Sequence, residues 1–279
     1  IHEVLKAYWG YSEFRPLQED IVRSALDGRD TLALLPTGSG KSVCYQVPAL
    51  MNDGVCLVIS PLIALMKDQV QQLRKRGISA LAIHTGMSYK EITKTLELAV
   101  NSKIKLLYLS PERLQTRVFK DYLAEMPVSL VAIDEAHCVS QWGYDFRPSY
   151  LQIITLREAI PEVPILALTA SATPLVQADI IQQLGLRKPA IIKGSFAREA
   201  LSYSCFEEEN KLQKMLTIPT QVDGPAIVYC KSRKKTADSC RHLQDKGISA
   251  TYYHAGLDQE DRNERQQRWT GNQCRVMVS

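Results

Sequence analysis

Two short stretches hold the residue types that chemistry needs. Residues 34–42 read LLPTGSGKS, directly after the apolar run Thr31-Leu32-Ala33 and before Val43-Cys44-Tyr45-Gln46-Val47, which can continue as a helix. A strand, a glycine-rich loop and a new helix in that order make a cradle for phosphate. Gly38 and Gly40 allow a tight turn that brings the N–H groups of Thr37, Gly38, Ser39 and Gly40 towards an anion, and the helix aims its positive end at the same point. Lys41 then meets the β- and γ-phosphates and Ser42 the Mg2+ ion, which makes Mg-ATP the expected ligand. Leu35 stands where the usual expression has its first glycine, while the TGSGKS core is kept. The second stretch is Leu130-Val131-Ala132-Ile133 running into Asp134-Glu135-Ala136-His137. A carboxylate at the carboxyl end of a buried parallel strand lies where open α/β sheets bind ligands. Asp134 is placed to hold Mg2+ and Glu135 to orient and deprotonate a water. An acidic turn is common after strands, and the phosphate loop upstream is what gives this one a role.

Three further stretches are less decisive alone. GYSEFRPLQED (Gly10–Asp20) offers a ring, a guanidinium and a carboxamide, and Gln18 can both donate to and accept from one adenine edge. Phe14-Arg15-Pro16 can equally start a helix. LTASATP (Leu168–Pro174) ends a strand with hydroxyl residues that suit either a phosphate contact or a helix cap. In QWGYDFRP (Gln141–Pro148), Trp142, Tyr144 and Phe146 alternate with polar residues ahead of Arg147. Exposed aromatics beside a cation suit stacking on single-stranded bases, whereas buried ones would be core.

The elements that must position these residues alternate strand and helix. Apolar runs recur at Val55–Ser60, Ala80–His84, Lys105–Ser110, Leu130–Asp134, Ile165–Ser171, Ala226–Cys230, Ala250–His254 and Val276–Ser279, with helical periodicity between them. That alternation predicts parallel sheets covered on both faces. The pattern loosens around Gly194–Glu209 and turns acidic at Glu207–Asn210, so two lobes are expected, 1–200 and 201–279, with a flexible connection. Seven scattered cysteines without any C-x-x-C pair predict neither a disulfide framework nor zinc. A net charge of +4 over 279 residues is too small to argue for nucleic acid by itself. No apolar run approaches the roughly 20 residues that span a bilayer. The opening segment is polar and helix-like, without a signal-peptide pattern.

Taken in order, these blocks resemble the RecQ family of superfamily 2 DNA helicases over almost the whole chain. The resemblance rests on Trp9–Gln18, the phosphate loop, VISPLIALMKDQV (Val58–Val70), YLSPERL (Tyr108–Leu114), DEAHCVSQWGYDFRP (Asp134–Pro148), ALTASATP, IVYCKSRK (Ile227–Lys234) and YYHAGL (Tyr252–Leu257). The aromatic loop directly after DEAH is its distinguishing element. It implies an α/β fold of RecA-like parallel sheets sandwiched by helices, with a complete first lobe and a partial second one. It implies adenine contacts by Tyr11, Arg15 and Gln18, a catalytic set of Lys41, Asp134, Glu135 and His137, and metal held by Ser42 and Asp134. Trp142, Tyr144, Phe146 and Arg147 are implied to couple DNA binding to hydrolysis. Segments containing Ser60, Arg113, Lys231, Arg233 and His254 are implied to follow the DNA backbone, on single-stranded and partly duplex DNA.

Two departures stand out. Tyr144 replaces the family's common His, and FAREALSY (Phe196–Tyr203) has Glu199 and Ala200 in place of Pro and Asn, which predicts a looser connector. The closing QCRVMVS reads like the strand before the family's next motif, with no arginine in Arg233–Arg275 at the finger position. The chain is therefore expected to be a fragment that binds nucleotide and DNA, hydrolyses slowly, and exposes a strand edge at Val276–Ser279. The parent is expected to be an ATP-dependent 3′→5′ helicase of DNA repair and recombination, in the nucleoid of a bacterium or the nucleus of a eukaryote. Alternatives are an RNA-dependent DEAD/DEAH-box ATPase and a non-catalytic nucleic-acid-binding module. Oligomeric state is left open.

Overall fold

The branched and Leu-rich runs become strands too short to stand alone, and each is stabilised by neighbours on both sides. The structure, a computed structural model, describes residues 1–101, 103–197 and 200–279. Arg198 and Glu199, on which part of the loose-connector expectation falls, lie outside the described residues. The chain forms two compact units, Ile1–Glu199 and Ala200–Ser279.

In the first unit the strands are β1 (Thr31–Leu34), β2 (Val55–Ile59), β3 (Ala80–Ile83), β4 (Leu106–Leu109), β5 (Val128–Ile133), β6 (Ile165–Thr169) and β7 (Ala190–Lys193). Its helices are α1 (His2–Trp9), α2 (Gln18–Leu26), α3 (Val43–Met51), α4 (Ile63–Lys75), α5 (Tyr89–Val100), α6 (Arg117–Leu123), α7 (Ile154–Ala159) and α8 (Pro174–Gln183). The sheet order is β3-β4-β2-β5-β6-β1-β7, and every pairing is parallel. Alternate residues of one strand feed different cores: Leu32 and Leu34 join one buried cluster, Ala33 and Leu35 the other. Both faces are thus covered by helices, the RecA-like arrangement. β7 is a short edge strand that alternates half-buried and exposed residues, and the apolar runs in the sequence did not mark it.

Asp30, one residue before β1, ties the amino ends of this sheet together. Its buried carboxylate accepts both hydrogen bonds of Arg157 Nη2 at 2.7 Å, the N–H of Ile165 at 2.8 Å and the N–H of Arg187 at 2.6 Å. Those donors belong to α7, the start of β6 and the approach to β7, so a single anion fixes where three strands begin.

The second unit has β8 (Ala226–Val228), β9 (Ala250–Tyr252) and β10 (Val276–Val278), with α9 (Lys211–Gln221), α10 (Arg233–Asp245) and α11 (Gln259–Thr270). Its core joins Cys240 and Leu243 of α10 to Ala250, Val276 and Val278. The sheet order is β8-β10-β9. The expected exposed edge at Val276–Ser279 is therefore corrected: β10 is the central strand, paired in parallel on both sides, and the edges are β8 and β9. The cause is a crossover, since consecutive strands in sequence need not be neighbours in a parallel sheet.

Removing one partner of a buried ion pair leaves the other charge stranded. Asp30→Ala should lower the unfolding free energy by about 3–5 kcal/mol, read from the urea midpoint. A midpoint equal to the parent's would show that the clamp is dispensable.

Candidate nucleotide site and nucleic-acid face

β1, β6 and β5 lie side by side, so their carboxyl ends bring the glycine-rich loop, the Thr169–Thr173 turn and the acidic turn to one edge of the sheet. The loop is shaped by Gly38 at φ 81° and Gly40 at φ 79°, left-handed angles that favour glycine. At Gly40 the crowding is also steric, because a Cβ would sit 2.6 Å from Gln18 Nε2. Gln18 is buried and donates to the carbonyls of Ser39 at 2.8 Å and Gly40 at 3.1 Å, while its Oε1 accepts the N–H of Arg15. Arg15 Nη1 donates to the Gly38 carbonyl at 2.6 Å. Two of the three residues expected at adenine, Arg15 and Gln18, thus hold the phosphate loop's backbone. They still open onto a cleft of about 250 Å³, lined also by Trp9, Tyr11, Ser42 and Arg76. Lys41 and Ser42 form the turn just before α3, whose second turn begins with Gln46 N–H bonding to the Ser42 carbonyl at 3.0 Å. The residue Thr37 lies in the same loop, and the buried Ser39 hydroxyl has no partner among the described residues.

Asp134 follows β5, with its N–H on the Ile59 carbonyl and its own carbonyl accepting the hydroxyl of fully buried Tyr150 at 3.0 Å. Burial pushes its carboxyl from 3.8 up to about 6, and the Glu135 charge adds to this, while the Glu135 N–H and Lys41 oppose it. A half-buried carboxylate within the field of Lys41, an unpaired loop hydroxyl and two left-handed glycines together fit a Mg-nucleotide. Glu135 has φ 48°, rare for a side chain other than glycine, and this local cost redirects the backbone into the turn at Ala136–Val139. His137 Nδ1 lies 2.9 Å from the Thr169 hydroxyl and 3.4 Å from the Glu135 carboxylate. Thr169 in turn accepts the N–H of Ser171 at 3.1 Å. The LTASATP stretch thus divides its labour: Thr173 caps α8 through the Val176 N–H, and Thr169 reaches His137.

The loop after the acidic turn folds back on it. Arg147 N–H donates to the Cys138 carbonyl at 2.8 Å, its Nη1 to the Pro61 carbonyl at 2.9 Å, and its Nη2 to Asp145 Oδ2 at 2.9 Å. Asp145 is held below the usual carboxylate range by Arg147. Trp142 and Tyr144 project into solvent, 69% and 103% exposed, and Phe146 is half-buried. Core packing therefore does not account for the first two rings. Arg113 Nη2 donates to the His84 carbonyl at 2.9 Å, joining the turns after β3 and β4. Nearby, the buried hydroxyls of Ser60 and Ser110, after β2 and β4, have no partner among the described residues.

In the second unit Lys231 is exposed after β8, and Ser232 caps α10 through the Lys235 N–H. Arg233 lies across the turn at Gly256, where a Cβ would come within 2.8 Å of its guanidinium. His254 packs on Tyr252 with ring centroids 5.6 Å apart. Sequence reasoning missed Thr169 as the partner of His137, Tyr150 behind Asp134, and the Cys138–Asp145 contact at 3.8 Å. Only Asp145 had a local signal, its place inside the aromatic stretch.

A parallel α/β sheet with a glycine-rich anion loop, a half-buried strand-end carboxylate and a histidine tied to the neighbouring strand defines a nucleotide-binding domain of helicase type. Residues 15–179 match the DEAD/DEAH box helicase family, and residues 207–279 match the helicase conserved C-terminal domain. The chain belongs to the DEAD/DEAH box helicases, in their RecQ branch. It is 41% identical to ATP-dependent DNA helicase RecQ of Pasteurella multocida over 99% of this chain and 44% of that protein. Against the RecQ of Bacillus subtilis the figures are 42%, 99% and 47%, and against ATP-dependent helicase SGS1 of Saccharomyces cerevisiae 36%, 100% and 20%. The chain spans about half the length of the bacterial relatives it matches.

The raised Asp134 pKa has a stability consequence. The native state keeps this proton to higher pH than the unfolded chain, so the contribution is present below pH 3.8 and lost as pH rises through about 6. Asp134→Asn should therefore stabilise the nucleotide-free chain at pH 7.5, by about 3 kcal/mol at most, with no gain near pH 4. Thermal unfolding at the two pH values checks this.

Proposed function

We propose that the protein to which this chain belongs is an ATP-dependent DNA helicase that moves 3′→5′ along single strands and opens partly duplex DNA in repair and recombination. The observation that carries the reading is the covalent and hydrogen-bonded continuity from Asp134–His137 into a loop presenting exposed Trp142 and Tyr144. Residues 1–200 act as the ATP-binding domain and 201–279 as part of the helicase C-terminal domain. Lys41 and the N–H groups of Thr37–Gly40 hold the phosphates, and Ser42 with Asp134 would hold Mg2+, which neutralises phosphate charge when bound. Tyr11, Arg15 and Gln18, which line the adjoining cleft, contact the adenine. Glu135 accepts the proton of the attacking water, and His137 relays the state of that turn to Thr169 on β6.

Trp142, Tyr144 and Phe146 stack on bases, Arg147 sets the loop's angle, and Arg113, Lys231, Arg233 and His254 follow the backbone without reading sequence. Among the described residues no helix is long and apolar enough to cross a membrane. DNA as the substrate would place the protein in the nucleoid of a bacterium or the nucleus of a eukaryote. An RNA-dependent ATPase is the second reading, since the nucleotide motifs are shared. What favours DNA is the place of the aromatic loop directly after the acidic turn, the distinguishing element of the RecQ resemblance, since stacking alone suits either nucleic acid.

The test is binding of labelled single-stranded DNA and RNA, together with ATP turnover in the presence of each, using Lys41→Ala as the turnover blank. DNA should bind and stimulate more strongly than RNA. Trp142→Ala should weaken DNA binding by about 1–3 kcal/mol while leaving binding of an ATP analogue intact. Equal responses to DNA and RNA, or undiminished binding by Trp142→Ala, would overturn the reading.

A further inference from the structure

Where the aromatic loop returns to the acidic turn, three different metal-ligating groups converge. Cys138 Sγ lies 3.9 Å from His137 Nε2 and 3.8 Å from Asp145 Oδ2, and all three atoms fall within 4.8 Å of one another. We propose that His137, Cys138 and Asp145 form a binding site for a borderline-soft divalent cation of the Zn2+ class, which inhibits the protein by locking the aromatic loop onto the acidic turn. The proposal runs against the expectation of no zinc in this chain, which rested on the absence of C-x-x-C pairs, a spacing that residues 137, 138 and 145 do not have.

The two sulfur contacts are close to what such an ion needs. Tetrahedral zinc with bonds of ~2.3 Å to sulfur and ~2.0–2.1 Å to nitrogen or oxygen sets S···N and S···O separations of about 3.6 Å. The two sulfur distances here need to close by only a few tenths of an ångström. The imidazole is already oriented as a ligand. A proton on Nδ1 has two acceptors, the Thr169 hydroxyl and the Glu135 carboxylate, and Nε2 then keeps its lone pair towards Cys138. Asp145 is exposed and supplies the entry path, while Cys138 is fully buried and supplies the soft ligand that discriminates against Mg2+. Both Arg147 bonds and the thiol contact fall on Oδ2 of Asp145, which leaves Oδ1 to keep the guanidinium when Oδ2 turns to the metal.

Burial pushes the free Cys138 thiol up to about 12, so the group is a poor nucleophile and a poor target for oxidants. Coordination expels the thiol proton to solvent and leaves a metal thiolate, with a water completing the fourth position. The inhibitory part of the proposal rests on the loop's coupling role in the proposed function. The metal-binding part does not.

The experiment has two arms. Co2+ added to the nucleotide-free chain should give one equivalent of a thiolate-to-cobalt charge-transfer band that Zn2+ displaces. That band should vanish in Cys138→Ser, and Asp145→Asn should weaken Co2+ binding at least ~10-fold. The exposed Asp145 position keeps the test usable if Cys138→Ser folds poorly, and binding of an ATP analogue reports folding of each variant. In the second arm, run on the full-length protein to which this chain belongs, Zn2+ under excess Mg-ATP should suppress DNA-stimulated turnover, with EDTA reversing the loss and Cys138→Ser resisting it at least ~10-fold. A missing band, a band that survives in Cys138→Ser, or equal Zn2+ sensitivity of parent and variant would overturn the proposal. If DNA stimulates no turnover while the Co2+ band behaves as expected, the coupling reading and the inhibition built on it fail and the metal site stands.

Discussion

The Asp30 carboxylate is the interaction on which the geometry of the first unit depends. It sits at the amino end of the sheet and gathers the guanidinium of Arg157 with the backbone N–H groups of Ile165 and Arg187. Parallel strands can slide against one another, and a one-residue slip reverses which face every side chain serves. By fixing where β1, β6 and the approach to β7 begin, this anion also fixes where β1 and β6 end. The pairing Leu34↔Thr169 is the result, and it sets the phosphate loop beside the threonine that reaches His137. Charge compensation at one end of the sheet thus determines the chemistry available at the other.

At the active edge, polar groups are bonded to each other. Gln18 and Arg15 hold three loop carbonyls, Tyr150 holds the Asp134 carbonyl, and Thr169 joins His137 to the Ser171 N–H. Such preorganisation lowers the reorganisation needed when charge develops on a bound phosphate. It also carries a cost, visible in the left-handed Glu135 and in the half-buried carboxyl of Asp134 raised towards neutrality. Both costs sit in one turn, between a strand paired on both sides and a loop whose rings meet solvent.

Much of this was legible in the sequence because it is local. Strand–loop–helix order, the glycines around Lys41, and a carboxylate closing an apolar run are all patterns within a few residues. The aromatic stretch was legible as a candidate, although only the structure separates exposed Trp142 and Tyr144 from half-buried Phe146. What could not be read lies between residues far apart. Asp30 and Arg157 give no local signal, and the Thr169–His137 bond joins two motifs that each had another plausible duty. β7 was missed because an edge strand needs only weak apolar character on one side. The expected edge at Val276–Ser279 failed for a related reason: strand order is a property of crossovers, which periodicity does not encode.

That strand order shapes how the second unit comes into being as well as how it looks. β8 and β9 share no ladder and pair only with β10, which follows both in the chain. A ribosome delivers residues in order, so the two outer strands emerge with no partner and wait as helix-flanked segments until the third has cleared the exit tunnel. The first unit repeats the pattern on a larger scale: β2 and β3 share no ladder and both pair with the later β4, while β1 waits for β6 and β7. Synthesis therefore delays the phosphate-loop strand until residues 165–193 have emerged, so the nucleotide edge is assembled among the last parts of its own lobe.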